Sequence, residues 1–197
     1  MPLNNDARAE AVGDMLREAA RVHEQAALEC VGSVLAAADV MSRAFDRGGK
    51  VLIFGNGGSA ADAQHFACEL VGRFLRDRRA LAAVALTTDM STVTAIANDF
   101  DFDRVFVRQI EALGRPGDVA IAISTSGTSR NVLAGLQFAK TCGLQTIAFT
   151  GGTGGPLGAA ADVHVNVPNA VTPRIQEAHR TLIHAVCDVI ESQLPHS

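Results

Sequence analysis

The sequence predicts an α/β fold: a three-layer α/β/α sandwich around a five-stranded parallel sheet, with a pair of helices in front of it. Three observations carry this prediction. Apolar runs at 51–54, 81–86, 118–123, 144–149 and 163–167 have the length and composition of strands. A helical pattern follows each run, so successive strands are joined by crossovers and run parallel. Most of the runs are continuously apolar rather than alternating, as in strands covered on both faces.

Bulk composition narrows the function classes. The chain has 197 residues, enough for one well-cored domain, and we read it as a single unit, 1–197, with residues 1–47 as leading helices and 48–197 as the α/β core. Hydrophobic residues make up 48% and charged residues 19%, which argues a globular chain over a disordered one. Trp and Tyr are absent and the net charge is −4. Base-stacking platforms are therefore scarce and no basic field exists, so no nucleic-acid partner is expected. No apolar run approaches the roughly 18 residues of a membrane span. The N-terminal stretch carries Asp6, Glu10 and Asp14 and lacks the apolar core of a signal peptide. Cys30, Cys68, Cys142 and Cys187 are dispersed, without CxxC or Cys–His metal spacing, and read as free thiols in the cytoplasm.

In chain order, residues 6–27 form an amphipathic helix, with Val12, Met15, Leu16, Ala19, Val22 and Ala26 at three- and four-residue spacings. A second helix runs from Leu28 to Asp46 and stops at Gly48-Gly49. Two helices ahead of the first strand are more than one small sheet needs. They either pack on their own subunit or make oligomer contacts. The first strand, Val51 to Phe54, enters the turn Gly55-Asn56-Gly57-Gly58, and a helix to about Phe74 follows, with Ser59 as N-cap and Asp62 closing a capping box. Arg76-Asp77-Arg78-Arg79 reads as a solvated loop. After the second strand, Thr87 to Ser91 is polar and a short helix reaches Ala97. Asn98-Asp99 opens an acidic loop that lacks the Gly and Glu offsets of a calcium-binding hand. Residues 104–113 form a helix, the third strand enters Ser124-Thr125-Ser126-Gly127-Thr128-Ser129, and another helix reaches Cys142. The fourth strand ends in the Gly-rich stretch 150–155. After the fifth, Thr172-Pro173 starts a final helix to Leu194, with Thr172 as N-cap. His179, Arg180 and Glu177 on it are expected in solvent, and His23, His164 and His196 are structural or exposed.

Ligands of open parallel sheets bind beyond the carboxyl ends of the strands, where all the Gly/Ser/Thr-rich loops fall. The helix that Ser59 caps points its free N–H groups and positive dipole end at the Gly-rich turn, an anion site. The hydroxyls of residues 124–129 precede a second helix start and suit a phosphate monoester. His65 and Glu69, at i and i+4, share one helix face. Gly55-x-Gly57-x-x-Ala60 also fits the dinucleotide fingerprint, but its acidic ribose partner is misplaced: Asp89 lies 34 residues past Gly55, against roughly 20 in the fingerprint. No P-loop occurs.

Gly55 to His65, with Glu69, Asn98-Asp99, Ser124 to Gly127, Ile175-Gln176-Glu177 and His184, closely resembles the phosphoheptose isomerases of the sugar isomerase (SIS) domain family. The resemblance spans almost the whole chain, including the leading helices. It implies a flavodoxin-like SIS fold and a homotetramer with active sites at subunit interfaces. It implies conversion of sedoheptulose 7-phosphate to D-glycero-D-manno-heptose 7-phosphate, the first step towards activated heptoses. By the resemblance, Asn56, Gly57, Gly58, Asn98 and Asp99 contact substrate, and Ser124, Thr125, Ser126 and Ser129 hold its phosphate. His65, Glu69, Gln176 and His184 match the ligands of one zinc ion per subunit. Glu69 and Gln176 also meet substrate, and Glu69 with His184 forms the acid/base pair. No nucleotide cofactor is implied.

The chemistry suits these residue types. Moving a carbonyl between C2 and C1 needs a base for the carbon-bound proton and a second group for the protons on oxygen, roles open to a carboxylate and an imidazole. Gln176 and His184 lie eight residues apart, about 12 Å along a helix. That spacing leaves open whether one metal meets both or one of them serves a neighbouring subunit. Other readings are a non-catalytic SIS scaffold, a sugar-phosphate sensor and a dehydrogenase. Glu69, the carboxylate that the scaffolding relatives lack, favours the enzyme.

Overall fold

A computed structural model describes residues 4–194. Its elements are α1 (Asn5–Glu29), α2 (Val31–Asp46), β1 (Val51–Gly55), α3 (Gly58–Val71), β2 (Ala83–Ala85), α4 (Met90–Asp99), α5 (Val105–Leu113), β3 (Val119–Ser124), α6 (Arg130–Thr141), β4 (Gln145–Gly151), α7 (Gly155–Ala160), β5 (Val163–Val167) and α8 (Thr172–Gln193), with a 3₁₀ turn at Phe102–Arg104 before α5. His196 lies outside the described residues.

Every strand pair is parallel and the sheet order is β2-β1-β3-β4-β5, the predicted flavodoxin-like arrangement. Side chains alternate across the sheet. Val51, Ile53, Val119, Ile121, Ile147 and Phe149 join the core under α2, α3 and α8. Leu52, Phe54, Ala120, Ala122 and Ala148 join the core under α5, α6 and α7. The strand order reverses between β1 and β3, which pair from Val51↔Val119 to Gly55↔Ile123. That switch point brings the Gly-rich turn and the Ser/Thr loop side by side.

Several local expectations give way. Helix α3 begins at Gly58, its N-cap is Gly57 with φ +56°, and no side chain caps it. Ser59 and Asp62 sit inside the helix and both are buried. The tight turn required a left-handed residue at the cap, which only glycine adopts cheaply. Helix α3 ends at Val71, so Phe74 lies in the loop beyond it. Asn98 and Asp99 belong to the last turn of α4, a helix that Asp89 caps at its other end through the Thr92 amide at 3.1 Å. Helix α7 fills part of what reads as a Gly-rich loop. Val171 rather than Thr172 is the N-cap of α8.

Helix α1 lies against α8, where His23 Nε2 meets Thr181 Oγ1 at 2.9 Å and Arg174 donates to the Met15 carbonyl at 2.5 Å. Only Val22 and Ala26 of α1 are buried, and its Val12, Met15 and Leu16 stay exposed. The four cysteines are free, with Cys30 and Cys187 buried and Cys68 exposed. Among the described residues, no helix is long and apolar enough to cross a membrane.

Candidate functional site

The two carboxyl-end loops are joined by side chains. Asn56 and Asn131 exchange a reciprocal pair of amide hydrogen bonds at 2.8 and 2.9 Å, tying the Gly-rich turn to the first turn of α6. Asn131 is buried, and its Oδ1 also accepts from the Val132 amide at 3.0 Å. Asn131 carried no spacing signal in the sequence, because its partner lies 75 residues away. In the Ser/Thr loop, Ser124 Oγ lies 3.1 Å from Ser129 Oγ and 3.5 Å from Ser126 Oγ. Ser126 Oγ accepts from the Thr128 amide and hydroxyl at 3.2 and 3.0 Å. Gly127, at φ +65°, lets the loop pass so close to Gly154 that an added Cβ would collide with the Gly154 carbonyl. The hydroxyls therefore form a compact cluster at the start of α6, a geometry suited to an anion with several oxygens. Thr125 stands beside it, half-buried. A cleft of about 270 Å³ opens along Asn56, Gly57, Gln64, Thr87 and Phe102, and the buried Thr87 hydroxyl there has no protein partner.

The second part of the site is a ladder between α3 and α8. Gln176 packs on Gly58, where a Cβ would collide with its amide. Arg180 donates Nε and Nη2 to Asp62 Oδ1 at 3.0 and 2.6 Å. His184 Nε2 lies 2.7 Å from His65 Nε2. Successive contacts one and two turns apart on each helix mean that α3 and α8 run side by side in the same direction. His65 Nε2 is also 3.3 Å from Glu69 Oε1, and one ligand atom each from His65, Glu69 and His184 all lie within 4.8 Å of one another. The ladder separates Gln176 from this trio by two turns of α8, about 12 Å. Asp99 lines a different groove with Val84, Arg108 and Leu113, and its Oδ1 accepts from Asn98 Nδ2 at 2.8 Å. Within one chain the structure thus gathers His65, Glu69 and His184, brings Asn56, Gly57 and Gly58 next to the Ser/Thr loop, and leaves Gln176 at the Gly58 end.

Burial pushes the His65 imidazole below its ordinary range, helped by Arg180 and His184, while Glu69 and Asp62 pull the other way without prevailing. A neutral His65 makes its contact with Glu69 a polar contact rather than a full ion pair. The close approach of the two Nε2 atoms then requires one ring to donate and the other to accept, or a cation between them. Zinc about 2.0–2.2 Å from each of these ligand types sets tetrahedral neighbours roughly 3.3 Å apart. The His65–Glu69 spacing of 3.3 Å matches, the two nitrogens at 2.7 Å would have to part by roughly half an ångström, and all three ligand atoms lie within 4.8 Å of one another. Two imidazoles and a carboxylate are a donor set that suits zinc.

Two expectations about exposure are overturned here. Arg78 is no solvated loop residue: its side chain is 2% exposed and pairs at 3.0 Å with Glu191, itself 1% exposed. His179 is fully buried and its Nε2 donates to the Thr150 carbonyl at 2.9 Å, leaving Nδ1 without a partner. Arg180 keeps 40% of its side chain exposed while it pairs with Asp62. For Arg78 and His179 the partner lies on a distant segment.

Residues 15–151 match the model of the SIS domain family. The chain is 51% identical to the phosphoheptose isomerase of Geobacter sulfurreducens over 179 residues, covering 91% of this chain and 95% of that protein. It is 51% identical to a probable phosphoheptose isomerase of Thermoplasma acidophilum over 90% of this chain and 96% of that one. Among solved structures, the phosphoheptose isomerase of Neisseria gonorrhoeae superimposes with a TM-score of 0.89 at 48% identity, covering 93% of this chain and 98% of the other. The Francisella tularensis enzyme does so with a TM-score of 0.91 at 34% identity, covering 94% and 99%. With the sheet order, the paired loops and the helix ladder, these likenesses place the chain in the phosphoheptose isomerase family of SIS-domain proteins.

Proposed function

We propose that this chain is a sugar-phosphate aldose–ketose isomerase that converts sedoheptulose 7-phosphate to D-glycero-D-manno-heptose 7-phosphate through an enediol. The convergence of His65, Glu69 and His184 along α3, the helix that starts at the Gly-rich turn, together with the hydroxyl cluster across the switch point, carries this reading. Ser124, Thr125, Ser126 and Ser129 hold the phosphate through hydroxyls and the α6 amides. Asn56, Gly57 and Gly58 orient the sugar chain. Glu69 takes the carbon-bound proton from C1 and returns it to C2. His184 handles the protons on O1 and O2, as an imidazole can near neutral pH. His65, Glu69 and His184 would hold one zinc ion per subunit, which would supply Lewis-acid polarisation of the substrate carbonyl. No nucleotide takes part.

The same reading makes the protein a cytoplasmic homotetramer with interfacial sites, built from one SIS domain per chain. Two features support it. Gln176 lies two turns of α8 from the trio and Asp99 lines a separate groove, an arrangement suited to sites shared between neighbouring subunits. The apolar residues Met15, Leu16, Leu28, Val31 and Leu35 on α1 and α2 are exposed, as surfaces covered by symmetry mates are before assembly.

The test is incubation of the purified protein with sedoheptulose 7-phosphate in D₂O, followed by NMR, with zinc added or chelated. Formation of the heptose 7-phosphate with solvent deuterium at C2 is the expected result. Binding without turnover in the presence of zinc would sink the isomerase in favour of a sensor.

A further inference from the structure

His184 has two ring neighbours. Its ring lies 5.0 Å from that of His65 and 5.2 Å from the ring of Phe74, the latter at 34°. Phe74 belongs to no helix or strand; it follows α3 in an irregular segment. Something must hold that backbone, and it is a carboxylate from α8. Glu191 accepts from the amides of Phe74, Leu75 and Arg76 at 2.7, 2.8 and 2.9 Å. Arg78 closes the arrangement. Its Nε donates to Glu191 Oε1 at 3.0 Å, and its Nη atoms donate to the carbonyls of Glu69, Leu70, Gly72 and Arg79 at 2.7–3.0 Å.

A buried ion pair is weak evidence for stability, since an apolar pair of similar volume often serves as well. This one does something an apolar pair cannot. Its directional bonds satisfy the open carbonyls at the end of α3, the turn that carries Glu69, and fix the Phe74 amide against α8, the helix that carries His184. We propose that Phe74 is a positioning residue that sets the His184 ring, and that Glu191 and Arg78 hold Phe74 in place and lock Glu69 in register with it. The sites that do proton chemistry require such support to within roughly 0.5 Å and 10–20°. The proposal rests on the reading of His184 as an acid/base group.

The test compares Phe74→Leu, Phe74→Tyr, Glu191→Gln and Arg78→Lys with the wild type. It records kcat and KM for sedoheptulose 7-phosphate and the imidazole resonances of ¹³C-histidine-labelled protein. Phe74→Leu should lower kcat by about 10- to 100-fold, as a small misplacement does, with KM within about twofold of wild type. Phe74→Tyr, which keeps the ring, should restore most of that loss. Glu191→Gln should lower kcat in the same way and shift and broaden the His184 resonances, although it touches neither ring. Wild-type kcat in Phe74→Leu, or unchanged His184 resonances in Glu191→Gln, would overturn the proposal. So would a loss confined to thermal stability or to KM, which marks a structural staple only. Should Glu191→Gln and Arg78→Lys fail to fold, the Phe74 pair still decides. Should the wild type not turn over this sugar, the isomerase reading falls, and the His184 resonances in Glu191→Gln and in the Phe74 pair decide the positioning role alone.

Discussion

His65 Nε2 and His184 Nε2 lie 2.7 Å apart, although 119 residues separate them in the chain. Two imidazole nitrogens at that distance cannot both be bare acceptors and cannot both be charged. The helix ladder forces them together, and Glu69 completes a set of three ligand atoms around the same point.

Removal of either ring should therefore release the metal. His65→Asn and His184→Asn are each expected to weaken zinc binding by more than the roughly 10- to 100-fold typical of an outer-shell partner. Competition with a chromogenic chelator measures this. Unchanged affinity in both variants would place any metal elsewhere.

Glu69→Gln keeps the shape of the side chain and loses the base. Its kcat should fall by about 10²- to 10⁴-fold, the usual worth of a positioned proton acceptor. KM should move little, because the phosphate loop is untouched. Steady-state kinetics with added zinc would check this and separate lost chemistry from lost metal.

The hydroxyl cluster carries a separate expectation. A hydrogen bond to a charged group contributes about 1.5–3 kcal/mol, so Ser124→Ala should raise KM by roughly 10- to 100-fold while kcat changes less. Inorganic phosphate should inhibit the variant more weakly than the wild type. Equal inhibition of both proteins would mean that Ser124 does not face the anion.

Gly127→Ala tests the close approach behind that loop. An alanine at φ +65° is strained, and its Cβ would collide with the Gly154 carbonyl. We expect a destabilisation above about 1 kcal/mol, read by denaturant unfolding, together with weaker phosphate inhibition. A stable variant with wild-type inhibition would show that the loop pair tolerates separation.

Stability should fall on mild acidification. Burial lowers the imidazoles of His164 and His179 below their ordinary range. As pH drops below the unfolded value of about 6.5, the unfolded chain binds protons that the folded one refuses, so folding loses up to about 1.4 kcal/mol per pH unit for a fully buried histidine. The carboxylates act lower on the scale. Burial pushes Asp162 and Glu191 up, but the bonds they accept outweigh it and hold both below their ordinary range. Their contribution is lost only as pH falls below about 4.5. Thermal unfolding between pH 7.5 and 5.5 should show the slope, flatter in His179→Gln. A flat wild-type profile across that window would refute the assignment.

Local patterns in the chain already specify the parallel sandwich, the loops at the carboxyl ends of its strands, the hydroxyl cluster and the shared face of His65 and Glu69. These are local properties: strand and helix periods, the turn chemistry of glycine, and the i, i+4 geometry of one helix. The family motifs added His184 and Gln176 by resemblance, without their placement. That α3 and α8 run side by side, so that His184 joins His65 and Glu69 while Gln176 meets Gly58, emerges from the packed fold. It alone locked Asn56 to Asn131 and buried Arg78, Glu191 and His179. Whether a polar side chain faces water or a partner depends on what the fold lays opposite it, and for these residues the partner comes from a segment that no local pattern in the chain names.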